Sequence, residues 1–261
     1  MLALLVSLRV KNKQLSNKIK VGGVSYLNTI PLLYGIQHSP VMESIELSVN
    51  YPSILARQLQ EGTIDVALLP VAAMSTIPGA RIISDYGIGA DALVASVAIF
   101  SNVPIEEVDT LYLDYQSRTS VMLARLLLRD YWKKDVIFKQ APENFIELIQ
   151  DNTAGVIIGD RALQHLGNFR FVYDLSQAWK EHTGLPFVFA AWVANKDLPE
   201  DFISQFNQAN AAGLNYIDKI VAVTSYPYYD LKKYYTENIH YLLDDEKKKG
   251  LNKFRELIQT L

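Results

Sequence analysis

The sequence predicts an α/β protein built as two lobes with a ligand cleft between them. Three observations carry this expectation. Short β-rich runs alternate with helix-like stretches, the rhythm of mostly parallel sheets with helices on both faces. The alternation runs through two series, the second opening near residue 109, and a helical stretch follows from Pro199. Polar clusters fall where predicted strands end, the place where open α/β sheets bind ligands.

In the first series, "KIKVGGV" reads as a strand and "TIPLLYGIQ" as a helix, with Pro31 in the first turn where a missing N–H is tolerated. "SIELSV" alternates as a strand does. "PSILARQLQEG" reads as a helix ending at Gly62. "IDVALLP", "RIISDYGI" and "LVASVAIF" are apolar runs of strand length. In the second series, "TLYLD" is a strand and "SRTSVMLARLLLRDYW" a strong helix. Met122, Leu123, Leu126, Leu127 and Tyr131 share one stripe at helical spacing. Then come "DVIFK" (strand), "PENFIELIQ" (helix), "AGVIIGD" (strand) and "RALQHL" (helix), and "FRFVYDL" and "LPFVFAAWVA" close the series. Beyond Pro199 the spacing predicts helices throughout, including "YDLKKYYTENI".

Bulk composition narrows the chemistry. The 261 residues carry a net charge of −3, so no global basic surface recruits nucleic acid or anionic lipid. There is no cysteine, hence no thiolate nucleophile and no Cys-ligated metal. The four histidines, His38, His165, His182 and His240, lack zinc-site spacing, and no metal is expected. There is no G-x-S-x-G, Walker A or dinucleotide fingerprint. The apolar start "MLALLVSL" is too short to span a bilayer, and its positive residues Arg9, Lys11 and Lys13 follow the run instead of preceding it. Residues 1–17 therefore read as an N-terminal extension and the protein as cytoplasmic.

Four clusters are candidate site elements. "SYLNT" contains Ser25, Asn28 and Thr29; Asn28 or Thr29 could cap a helix, or Asn28 could turn its amide to a ligand. "ASV" puts Ser96 in an apolar strand, where a small polar residue often only packs. "DYQSRTS" opens the strongest helix, whose unpaired N–H groups with Ser117, Arg118, Thr119 and Ser120 suit a carboxylate or phosphate. The structural alternative is Ser117 as a cap and Arg118 facing water. "GD" offers Gly159 and Asp160, the latter a further candidate N-cap.

Together, "GGVSYLNTIPLLYG", "GTIDVALLPVAAM", "ASVAIF", "LDYQSRTSVMLARLLL", "GVIIGDRAL" and "YDLSQAWKEHTGLPFVFAAW" resemble, in this order, the chorismate dehydratases of the futalosine route to menaquinone. The resemblance runs from about Lys18 to about Trp192. It implies a two-lobed fold similar to type II periplasmic binding proteins, with lobe 1 at 18–107 plus 198–261 and lobe 2 at 108–197. The crossings would lie near Pro104 and Asn195–Pro199. It implies a hydro-lyase with no cofactor, whose partner is a small dicarboxylate, chorismate, and neither nucleic acid nor membrane. Asn28 would act at the reacting centre, and Ser96 would donate from the other lobe. Ser25, Ser117, Arg118, Thr119, Ser120 and Gly159 would line the substrate site. The proton acceptor would be Asp160, if it is not merely a cap, or the substrate's own enolpyruvyl carboxylate. The alternatives are a solute-binding protein for a small carboxylate, or the sister dihydroxynaphthoate synthase of the same route.

Overall fold

A computed structural model describes residues 18–114 and 116–261; the expected N-terminal extension lies outside the described residues. The chain begins with β1 (Ile19–Val24), α1 (Ile30–Gln37), β2 (Ile45–Asn50), α2 (Pro52–Gln60), β3 (Val66–Pro70) and β4 (Arg81–Ala90). It continues with β5 (Val97–Ser101), β6 (Thr110–Leu113), α3 (Arg118–Asp130), β7 (Ile137–Gln140), β8 (Thr153–Ile158), α4 (Asp160–His165), β9 (Phe171–Asp174) and α5 (Leu175–Thr183). It ends with β10 (Phe187–Ala194), α6 (Glu200–Leu214), α7 (Ile217–Val223), α8 (Leu231–Lys233), β11 (His240–Leu242) and α9 (Asp245–Leu257).

Two sheets form, a six-stranded one in the order β11-β4-β10-β3-β1-β2 and a five-stranded one in the order β7-β6-β8-β5-β9. Both are mixed, not mostly parallel as the sequence suggested. β1 pairs in parallel with β2 and β3, while β10 runs antiparallel to β3 and β4. β6 pairs in parallel with β7 and β8, while β5 runs antiparallel to β8 and β9. One cause explains both cases. β5 and β10 are the strands the chain reaches on crossing from the other sheet, so each begins at the cleft, where its parallel neighbours end.

Sheet membership also moves the crossings. The first lies at 91–96 and the second at 184–186, each about ten residues earlier than the resemblance implied. Both "LVASVAIF" and "LPFVFAAWVA" were assigned to the wrong side, because an apolar run of strand length does not say which sheet buries it.

The C-terminal stretch returns to the six-stranded sheet. α6 packs on α1, and the approach depends on Gly35 and Gly213: a Cβ on Gly35 would meet the Ala209 carbonyl, and one on Gly213 the Pro31 carbonyl. The Trp192 indole N–H of β10 donates to Asn210 Oδ1 of α6 at 2.9 Å, which satisfies two polar groups inside the core. Trp179 of α5 stacks edge-on against Phe187 and Phe254, joining α5 to β10 and α9. One predicted helix fails, and the stretch read as helical holds a strand. "PENFIELIQ" yields only a short 3₁₀ turn, Phe145–Leu148, whose Phe145 packs into a small core with Ile149. "HYL" inside the helical stretch is β11, an edge strand on β4 too short to show a period of its own. Among the described residues, no helix is long and apolar enough to cross a membrane, and no group of three or more His, Asp or Glu is placed to hold a metal ion.

Candidate active site

A cavity of about 60 Å³ lies where the strand ends of the two sheets face each other. One buried water needs only ~10–15 Å³ of such space, so the cavity is sized for a multi-atom ligand. Four segments supply its polar groups. The loop after β1 brings Tyr26 and Asn28, the first crossing brings Ser96, the start of α3 brings Gln116, Ser117 and Ser120, and the turn from β8 to α4 brings Gly159. Val24, Leu68, Ile88, Val94 and Phe189 make the apolar walls.

Each polar group has a local cause. Thr29 holds the N-cap position of α1, but its hydroxyl donates to Asn28 Oδ1 at 3.1 Å instead of capping. This ties up the amide oxygen and leaves the Nδ2 hydrogens for a ligand. Ser117 is the true cap of α3, accepting from the Ser120 N–H at 3.2 Å and donating to Ser120 Oγ at 2.9 Å. Gly159 has φ 63° and ψ −145°, a backbone region essentially reserved for glycine, and its N–H donates to the Ser96 carbonyl at 2.7 Å. Ser96 Oγ is buried, and neither it nor the neighbouring Tyr234 hydroxyl has a hydrogen bond of good geometry. A buried hydroxyl without a partner costs stability unless something binds it.

Four hydrogen bonds close the cleft around this cavity. The Tyr26 hydroxyl donates to Gln116 Oε1 at 2.9 Å, and the Leu27 N–H to Asp160 Oδ1 at 3.1 Å. The Ala72 N–H donates to Thr119 Oγ1 at 3.1 Å, and the Tyr226 hydroxyl to the Asp160 carbonyl at 2.6 Å. Behind the polar wall, Asp114 accepts from Arg161 Nη2 at 2.6 Å and from the Gln116 N–H at 2.9 Å, which fixes the loop carrying Gln116. Burial pushes the Asp114 carboxyl up, against the opposing pull of Arg161. Burial likewise raises Asp160, offset by the Leu27 N–H, and raises Tyr26 and Tyr234.

The expected site residues divide. Asn28, Ser96, Ser117, Ser120 and Gly159 meet in the cavity. Ser25 is exposed on the loop that carries Asn28, because the chain turns there and Tyr26 takes the inward position. Arg118 points to solvent from the first turn of α3, as the structural alternative held. Thr119 is buried, with its hydroxyl turned to the Ala72 N–H. Asp160 is not the cap of α4 but its first residue, and its carboxylate accepts from the Leu27 N–H across the cleft. Tyr26 and Gln116 were missed, although both stand inside the quoted clusters. Their signal was position alone, since each lies next to a residue that does line the cavity.

A larger groove of about 660 Å³ runs over β4 between α6 and α9, but none of the expected site residues borders it. Its Arg81 is already paired with Asp197.

The sequence matches the family described as menaquinone biosynthesis over residues 19–260. It is 28% identical over 251 residues to the chorismate dehydratase of Campylobacter jejuni, covering 92% of this chain and 97% of that one. It is 25% identical over 258 residues to the chorismate dehydratase of Thermus thermophilus, covering 89% and 92%. Among solved structures, the Archaeoglobus fulgidus protein AF1704 superposes with a TM-score of 0.75 at 16% identity, covering 93% of this chain and 97% of that one. The alkanesulfonate-binding protein SsuA of Xanthomonas axonopodis pv. citri superposes at 0.59 with 11% identity, covering 93% and 92%. The Candida albicans CA3427 product, described as having the generic periplasmic binding protein fold, superposes at 0.59 with 14% identity, covering 94% and 90%. These likenesses establish a two-lobed fold of the periplasmic-binding-protein kind.

Proposed function

Because the chain belongs to the menaquinone-biosynthesis family, we propose that it binds chorismate in the cavity between its sheets and eliminates water from it, giving 3-[(1-carboxyvinyl)oxy]benzoate. The observation that carries this reading is Ser96: a buried hydroxyl without a hydrogen bond of good geometry, in the same cavity as an Asn28 amide whose oxygen is already engaged. Such donors fit an oxygen that gains charge as it departs.

The rest of the cavity suits the same reaction. The start of α3, with Ser117, Ser120 and Gln116, holds one substrate carboxylate through unpaired N–H groups and side-chain donors. Phe189, Leu68 and Ile88 cover the ring and keep water out. In the elimination the C–O bond breaks with its electron pair going to oxygen. The electrons of the ring C–H bond become the new double bond; the proton passes to its acceptor and from there to the departing hydroxide, so that one water leaves. No carboxylate or imidazole lines the cavity among the described residues, so the proton acceptor in this scheme is the substrate's own enolpyruvyl carboxylate. Aromatisation supplies the drive. A preorganised donor at the departing oxygen contributes roughly 10²–10³ in kcat.

The test is direct. Purified protein is incubated with chorismate, and the product is identified by its benzoate absorbance and a mass lower by one water. Recovery of unchanged chorismate after denaturing the complex would favour the solute-binding alternative, and failure to bind it would remove both.

A further inference from the structure

We propose that Asp174 is a positioning residue that holds Ser96 in the cavity by stapling the strained turn that precedes it; this rests on the reading of Ser96 above. Asp174 is the second residue of the longest motif of the sequence, "YDLSQAWKEHTGLPFVFAAW", yet it does not line the cavity. It ends β9, where it pairs with Ala98 of β5, and is 8% exposed. Its carboxylate accepts four backbone N–H groups. Oδ1 takes those of Ser176 and Gln177, both at 3.0 Å, and so caps α5. Oδ2 takes those of Val94 at 3.1 Å and Ala95 at 2.7 Å, in the first crossing between the sheets.

Those last two bonds fall on an unusual piece of backbone. Ala95 has φ 63°, and the Ser96 N–H donates back to the Val94 carbonyl at 2.8 Å. A bond from residue i+2 to residue i around a central residue of positive φ is the rare, strained form of the γ-turn. A non-glycine residue keeps such a conformation only where its surroundings over-determine it. Here Asp174 fixes the two N–H groups before Ser96, and the Gly159 N–H fixes the Ser96 carbonyl after it. The serine backbone is thus held on both sides, and the serine lines the cavity with its hydroxyl beside that of Tyr234 and in no hydrogen bond of good geometry. Without the staple, Ala95 relaxes to negative φ and the direction of Ser96 changes with it.

Asp174→Asn separates the two halves of the carboxylate's work. Asparagine caps helices about as well as aspartate, so its oxygen stays with α5 and the fold survives. Its NH₂ then faces the Val94 and Ala95 N–H groups, donor against donor. Asp174→Ser, also a good cap, serves the same purpose if the amide variant does not fold. The experiment compares kcat with the affinity for chorismate in wild type, Asp174→Asn, Ser96→Ala and the double variant. Expected are a kcat loss of about tenfold or more in Asp174→Asn with affinity changed little, and a double variant no slower than Ser96→Ala alone. Normal kcat in Asp174→Asn beside an impaired Ser96→Ala, or losses that add in the double variant, would overturn this inference and leave the function reading standing. Full turnover in Ser96→Ala would overturn both.

Discussion

The two walls of the cleft differ in what they offer a ligand. The six-stranded side supplies Leu68, Ile88 and Phe189, with Asn28 set among them. The five-stranded side supplies the capped start of α3, with Gln116, Ser117 and Ser120, and the bare backbone of Gly159. The first wall shields and carries one pointed donor; the second grips charge. Ser96 belongs to neither, since it stands in the segment that joins them. The contrast separates a group acting on the reacting bond from groups acting on affinity, and mutation can pull the two apart.

The sharpest break would come from Asn28→Ala. Turnover should fall about 10²–10³-fold while the melting temperature barely moves, because Asn28 caps no helix. A large loss of stability with normal turnover would return the residue to a structural role. Next, Ser120→Ala should raise KM about tenfold or more with a smaller change in kcat, since a hydrogen bond to a charged group contributes roughly 1.5–3 kcal/mol. A pure kcat effect there would merge the two walls into one function. Thr119→Val should do less: it removes the acceptor for the Ala72 N–H and costs about 1 kcal/mol of stability, read by denaturant titration, with near-normal kinetics. Kinetics as poor as those of Ser120→Ala would mean that Thr119 turns into the cavity when ligand is bound.

A last prediction is a pH trend at the joining segment. Burial pushes the Asp174 carboxyl up to about 6, against the pull of its four N–H donors, and Tyr229 is its titratable neighbour. A raised carboxyl pKa means that the native state binds the proton more tightly than the unfolded chain. The associated stability is therefore present below about pH 4 and is lost as pH rises towards about 6. The melting temperature of Asp174→Asn should lack that decline, and parallel curves for the two proteins would count against a raised native value.

Much of this contrast could be read from residue order, and the unread part has a physical cause. The helix at Arg118–Asp130 was legible because its apolar stripe and its cap lie in one continuous segment. The polar clusters were legible because strand ends are marked by a change in composition. Sheet membership was not, since β5 and β10 are apolar whichever sheet buries them. Side-chain direction within a cluster was not legible either. In "SRTS", four adjacent polar residues face four ways once the helix turn begins: Ser117 caps, Arg118 meets water, Thr119 meets Ala72 and Ser120 meets the cavity. The partner of Asp160 was not legible either, because Leu27 is 133 residues away.

The four hydrogen bonds that tie the walls together have a kinetic consequence. They join the loop after β1, the segment after β3 and Tyr226 to the start of α3 and to Asp160, so the two walls separate only when they break. At about 1 kcal/mol net for each bond, breaking all four costs roughly 4 kcal/mol. Any change that loosens Tyr26 or Asp160 is expected to ease the entry and release of a ligand before it alters the cavity itself.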